Sequence, residues 1–282
     1  MRPSQWVKNT LIFAPLLFAR ELGDIEAILR VSFLFTLFCL LSGGVYLMND
    51  ILDREQDRRH PFKRNRPIAS GALPVSTAVL AGGVMILFSV GASFALGPAV
   101  AAVMAGYLLL NVAYSRFLKN LVIIDVMTIA AGFLLRVIAG GLAIPVAISF
   151  WLLLCTGLLA LFLGFGKRRH ELVLLDVAAS SHRPILREYS PYFLDQMISV
   201  VTTSTVVTYA LYTMSPDVHE KLGTPWLGLT IPFVLYGIFR YLYLIHQKSE
   251  GGDPTQAIMT DRPLLANIFL WGGAVVAILY FR

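Results

Sequence analysis

Residues 28–48 read ILRVSFLFTLFCLLSGGVYLM, and residues 49–57 follow at once with NDILDREQD. The first stretch is apolar over about the 20 residues that a helix needs to cross a hydrocarbon layer. The second is dense in carboxylates. Working outward, the same criterion is met at 74–96, 98–115, 121–143, 147–165, 196–214, 225–247 and 263–281. A shorter run at 9–19, NTLIFAPLLFA, is interrupted by Pro15 and counts as a first span supported by its neighbours. The expectation is an all-α polytopic membrane bundle of about nine transmembrane helices, forming one domain over 1–282. Eight spans is the alternative.

Composition agrees. Of 282 residues, 57% are hydrophobic and 14% charged, and the mean hydropathy is +0.71. A soluble domain carries about 25% charged residues, so the surplus apolar surface is expected to face lipid. Cys39 and Cys155 both lie in apolar runs, without His or Cys at zinc spacing, and read as small packed hydrophobes. The start, MRPSQWVKNT, has no long apolar core followed by a small-residue cleavage site, so no removable signal peptide is expected.

A net charge of +6 could suit nucleic acid, but its distribution argues against that partner. With nine spans, only Arg20, Arg30, Lys221 and Arg282 fall on one side, while Arg136 and Arg240 lie within spans. The other Lys and Arg residues share the opposite side, which the positive-inside tendency makes cytoplasmic, at a cell (inner) membrane. The turns at Leu96-Gly97-Pro98 and Ala143-Ile144-Pro145 are short and uncharged. The loops at 49–73 and 166–195 are long and carry both signs of charge, so chemistry is expected there.

If the second span continues as helix, Asp50, Asp53 and Asp57 stand at i, i+3 and i+7, within a sector of about 60°. Three carboxylates so placed repel one another unless a cation sits among them. Hard oxygen donors suit Mg²⁺, which commonly bridges carboxylates to substrate phosphates, and Asn49 can add a neutral oxygen. The plainer alternative is a solvated helix end whose aspartates pair with Arg54 and Arg58. The basic segment that follows, RRHPFKRNRP, supplies Arg58, Lys63 and Arg66 as candidate phosphate ligands, or else an anchor for anionic lipid. His60 reads as a loop residue. Lys8 in RPSQWVKN, Lys119 in YSRFLKN and Lys167-Arg168-Arg169 in GFGKRRHEL add cations on the same expected side. Asp125 and Arg136 lie in or near the fifth span, about three turns apart, and should face a bundle interior or a water-filled cavity, in a structural role or in direct contact with ligand. Tyr114, Asp125, Arg136 and Asp176 are further candidates for ligand contact. The small residues Ala130-Ala131-Gly132 and Ala139-Gly140-Gly141 read as helix-packing positions.

NDILDREQD resembles the first aspartate-rich motif, NDxxDxxxD, of the UbiA superfamily of intramembrane prenyltransferases. That resemblance implies nine helices around a central cavity open to the cytoplasmic side. A narrower resemblance rests on RPSQWVKN, NDILDREQDRRHPFKRNRPIASG, YSRFLKNLVIIDVMTIAAGFLLRVIAGG and FGKRRHEL, in that order. Together they are similar to the decaprenyl-phosphate phosphoribosyltransferase branch. It implies transfer of 5-phosphoribose from phosphoribosyl pyrophosphate to a polyprenyl (decaprenyl) phosphate, for cell-wall arabinan precursors. The ordinary prenyltransferases carry a second aspartate-rich motif after helix six. Here GFGKRRHELVLLDVAASSHRPILREYS has Asp176 but no DxxxD, and it opens with three cations.

On this reading Asp50, Asp53 and Asp57 are catalytic and, with Asn49, hold Mg²⁺. Lys8, Arg58, Lys63, Arg66, Lys119 and Lys167–Arg169 complete the phosphate shell. The expected partners are phosphoribosyl pyrophosphate, the polyprenyl phosphate lipid and the membrane, with a second copy of the chain left open. Prenyl transfer to an aromatic acceptor is the nearest rival, but the second acidic cluster it predicts is missing. A transporter is the rival of another class, and no convincing internal repeat supports it.

Overall fold

The computed structural model describes residues 3–59, 63–174, 184–248 and 254–281, which are helical with short connections and contain no strand. Among the described residues, eight helices are long and apolar enough to span a membrane: Ile25–Leu52, Val75–Leu96, Pro98–Arg116, Ile124–Ala143, Phe150–Val173, Pro191–Met214, Trp226–Gln247 and Arg262–Tyr280. Their outward faces are apolar, with Leu87 75%, Leu109 69% and Phe269 71% exposed. Side chains of this kind belong against lipid rather than water.

The helix ends follow from local chemistry. Asp24 accepts a hydrogen bond from the Glu26 N–H, Ser190 from Phe193 and Asp261 from Leu264, so three long helices begin on side-chain caps. Two of these also carry a proline in their first two positions, Pro191 after Ser190 and Pro263 shortly after Asp261, where its missing N–H costs nothing. At the Leu96–Pro98 turn, Gly97 has φ 125°, a conformation open only to glycine without strain.

Two expectations change. The expected first span, 9–19, is not among these eight long apolar helices. Residues Pro3–Phe13 form a 3-10 helix that passes into a short α-helix, Ala14–Phe18. At about 2.0 Å per residue in the first part and about 1.5 Å in the second, the segment is roughly 30 Å long. It is packed inward, with Asn9 and Ile12 fully buried and Leu16 nearly so. The second change is at 166–195, expected as loop. The helix that starts at Phe150 runs on to Leu174 and carries Lys167, Arg168 and Arg169 as helical residues, while Asp195 lies in the Pro191 helix. Glu171 supports that extension by pairing with Lys167 and Arg168 at i,i+4 and i,i+3.

The chain divides into two compact units. The first comprises Met1–Arg116 and Leu135–Ala147, with a core of Ile12, Leu16, Val31, Leu34, Phe38, Met104, Tyr107 and Ala139. The second comprises Phe117–Leu134 and Ile148–Arg282, with a core including Val126, Phe162, Tyr189, Leu194, Ile238, Tyr241 and Leu264. Within the first unit Gly140 fulfils its expected packing role, because a Cβ there would run into the Ile12 carbonyl oxygen. That neighbour is backbone and cannot turn aside. Gly140→Ala should therefore cost about 1–3 kcal/mol, the usual range for overpacking. A lowered melting temperature in detergent would report it, whereas Gly106→Ala, with nothing within 4 Å of its added carbon, should not lower it.

Candidate active site

The first unit holds the acidic motif. The Ile25–Leu52 helix stops at Asp53 (φ −90°, ψ 6°), and a new helix runs over Arg54–Arg59. The second span thus does not continue as one helix through Asp57; it breaks at the middle aspartate. The backbone pattern survives the break: the Asp53 N–H donates to the Asn49 carbonyl at 2.9 Å and the Asp57 N–H to the Asp53 carbonyl at 2.8 Å.

A cation does sit among the carboxylates, and it is Arg66. Its Nη1 donates to Asp50 Oδ1 at 3.0 Å and to Asp57 Oδ2 at 2.6 Å. Asp57 is buried and Asp50 mostly so, and the guanidinium answers the repulsion that their spacing would otherwise create. The plainer reading expected Arg54 and Arg58 in that place. Arg58 instead donates through Nε to the Ala69 carbonyl at 3.0 Å and pairs with Glu55 at 3.4 Å, so it ties down the Pro67–Ser70 turn. Asn49 Oδ1 accepts from Ser115 Oγ at 2.7 Å. Among the described residues no three His, Cys, Asp or Glu side chains converge as a ready metal cage.

Arg136 belongs to the same unit. It donates through Nε to Asn9 Oδ1 and through Nη2 to the Tyr107 hydroxyl, each at 2.8 Å, with its guanidinium 4.8 Å above the Tyr107 ring. Asn9 in turn donates to Cys39 Sγ at 3.3 Å and Ser42 Oγ at 3.4 Å. Arg136 therefore anchors the N-terminal segment next to Lys8. Lys8 and Tyr114 are half-buried, and Lys63 begins a single 3-10 turn, Lys63–Asn65.

In the second unit, Asp125 is fully buried and Arg168 is 1% exposed. Arg168 Nε donates to Asp125 Oδ2 and its Nη1 to Glu171 Oε2, both at 2.6 Å. Tyr189 donates its hydroxyl to Asp125 Oδ1 at 2.8 Å and accepts the Ile123 N–H at 2.7 Å. Ile123 has φ 67°. A β-branched residue in the left-handed region carries strain of about 1–3 kcal/mol and persists only where its surroundings hold it. Arg169 donates to both oxygens of Asp195, whose Oδ1 also lies 3.2 Å from His246 Nε2. Lys119 is half-buried in the 3-10 turn Leu118–Asn120. Asp176 lies outside the described residues, as does His60.

The sequence reading missed the roles of Ser115, Glu171, Tyr189 and Asp195. Glu171 was detectable, because KRRHE places it at helical spacing from two cations. Tyr189, in REYSPY, has no local signal at all.

The sequence model of the UbiA prenyltransferase family matches residues 10–271. The chain belongs to that family. Among its relatives, the decaprenyl-phosphate phosphoribosyltransferase of Mycolicibacterium smegmatis is 36% identical over 294 residues, covering 100% of this chain and 91% of the relative. The enzyme of the same name from Corynebacterium glutamicum is 34% identical over 285 residues, covering 99% and 85%. Among solved structures, a UbiA homolog from Archaeoglobus fulgidus bound to DMAPP and Mg²⁺ superposes with a TM-score of 0.71 at 18% identity, covering 99% of this chain and 98% of that one. The UbiA fold is thus shared along the whole chain.

Burial above all, with the Asp125 carboxylate adding to it, pushes the Tyr189 hydroxyl up from its ordinary 10.0 to about 12. An unfolded chain releases that proton near pH 10 while the folded chain keeps it, so folding stability is intact below pH 10 and falls as pH rises toward 12. Melting curves in detergent should show that alkaline loss, and Tyr189→Phe, lacking the proton, should flatten it.

Proposed function

We propose that this chain is a multi-pass membrane phosphoribosyltransferase, moving 5-phosphoribose from phosphoribosyl pyrophosphate to a polyprenyl phosphate of the decaprenyl class. The observation that carries the reading is full-length similarity, at 33–36% identity, to three enzymes that bear that name in different bacteria. The cationic start of the region after 166, where a second acidic motif would suit a prenyl diphosphate, supports it.

The donor set fits a divalent ion. Asp50 and Asp57 already converge on a single positive group, every donor is a hard oxygen, and Asn49 stands one residue away. Asp50, Asp53 and Asp57, with Asn49, would hold Mg²⁺, whose bound charge would offset the charge gathering on the leaving pyrophosphate. Arg66, Lys8, Arg58 and Lys63 in the first unit are assigned to donor phosphates. Lys119, Lys167 and Arg169 in the second are assigned to substrate phosphate as well, and Arg168 supports them through Asp125 and Glu171.

In the reaction the bond from ribose C1 to the pyrophosphate oxygen breaks, and a bond from C1 to an oxygen of the lipid phosphate forms. A phosphate monoester is already anionic near neutral pH, so no side chain has to remove a proton from it. The work of the protein is to hold two anions together while charge moves onto the leaving group. A polyprenyl tail suits the long apolar helices seen among the described residues, since a membrane enzyme meets such a chain in its own solvent. The basic loops, by the positive-inside tendency, support a reaction on the cytoplasmic side of the cell membrane.

Purified protein supplied with labelled phosphoribosyl pyrophosphate and polyprenyl phosphate should form labelled lipid in a Mg²⁺-dependent manner. Label transfer only from a prenyl diphosphate to an aromatic acceptor would overturn the reading. Asp53→Ala should lower turnover by about 100-fold or more, with an unchanged detergent elution profile and without full rescue by extra Mg²⁺. A second expectation concerns Arg66. In Arg66→Ala two carboxylates lose their shared counter-charge, so the melting temperature without divalent ions should fall, and added Mg²⁺ should raise it by more than in the parent protein.

A further inference from the structure

We infer that Tyr189 is a positioning residue whose hydroxyl, held between the Ile123 N–H and the Asp125 carboxylate, sets the segment that presents Lys119 to a substrate phosphate. The inference rests on the proposed reading of Lys119 as a phosphate ligand and deepens it.

The argument starts from the strained residue. Ile123 adopts φ 67°, although its branched side chain disfavours that region. The strain lies between two functional parts: the 3-10 turn Leu118–Asn120 with Lys119 precedes it, and the helix beginning at Ile124 follows. The Ile124 N–H closes onto the Val122 carbonyl at 2.7 Å and the Asp125 N–H onto the Leu121 carbonyl at 3.0 Å, so the chain reverses sharply there. The Ile123 N–H itself points to Tyr189, 66 residues away, at 2.7 Å.

Tyr189 cannot swing freely. Its ring is buried and stacks on Phe193 with centroids 6.1 Å apart, and its hydroxyl proton is committed to Asp125. The second oxygen of Asp125 is held by Arg168, and Arg168 by Glu171. A continuous line of buried and part-buried hydrogen bonds therefore runs from the end of the Phe150–Leu174 helix to the strained backbone. Such a line over-determines one conformation of the 118–124 segment, which is what a ligand-bearing lysine on a short turn requires. None of these groups needs to touch substrate.

The test uses full-length protein in detergent, with inorganic pyrophosphate as the probe, read by calorimetry and by amide hydrogen exchange over 118–124. Tyr189→Phe should weaken pyrophosphate binding about tenfold, the size of one lost hydrogen bond to a positioned group, and should speed exchange in that segment. Lys119→Ala should weaken binding similarly without speeding exchange. The double variant should be no weaker than Lys119→Ala alone, because the tyrosine acts only through the lysine. In phosphoribosyl transfer, Tyr189→Phe should raise KM for phosphoribosyl pyrophosphate with little change in kcat. Unchanged exchange, unchanged binding, or fully multiplicative losses in the double variant would each overturn the inference. If Tyr189→Phe does not fold, Tyr189→Phe with Ile123→Gly carries the test, since glycine takes the left-handed conformation without strain. Binding near that of the parent is then expected, and a persisting tenfold loss would overturn the strain argument. Parent protein that binds pyrophosphate yet moves no phosphoribose would remove the transfer reading and leave the positioning role standing.

Discussion

A charge beside hydrocarbon has to bring its counter-charge with it, because neither lipid nor a packed core will solvate it. That constraint is visible at several of the described polar groups. Arg168 and Asp125 are both shut away from solvent and survive there as a pair, with Glu171 and Tyr189 taking up further hydrogen-bonding capacity. Arg240, on a membrane helix, reaches Asp261 at the start of the next long helix and leans on the Tyr243 ring. The Arg240 guanidinium holds the Asp261 carboxyl below the usual carboxylate range, so one aspartate serves both as helix cap and as ion-pair partner.

The acidic motif follows the same rule. Asp50 and Asp57 are close enough to need a cation, and Arg66 meets that need through two short contacts to one nitrogen. The break in the helix falls at Asp53, the middle carboxylate of the motif. In the other unit the cations are sorted by burial. Arg168 is committed to the interior, while Lys167 and Arg169 remain partly exposed on the same helix.

Much of this was legible in the sequence because membrane insertion is written in local composition. The windows 74–96, 98–115, 225–247 and 263–281 coincide with helices to within a residue or so. The carboxylate motif was legible too, since its spacing alone demands a cation. The partner of that motif was not. Arg54 and Arg58 are nearer along the chain than Arg66, yet it is Arg66 that reaches Asp50 and Asp57. The first segment misled for another reason: its apolar run was counted as a spanning helix, whereas it folds as a 3-10 helix passing into a short α-helix, with Asn9 accepting from the distant Arg136.

By itself, then, the sequence determined the class of solvent, the positions of the long apolar runs and the acidic motif, because each depends on runs of neighbouring residues. Tertiary structure alone decided that Arg136 meets Asn9 at a separation of 127 residues, that Arg168 meets Asp125 at 43, and that Tyr189 grips a strained Ile123 at 66. Those pairings have no local signature. They arise because buried polar groups accept whichever partner the packed helices bring within hydrogen-bond reach, and that is a property of the fold rather than of any stretch of chain.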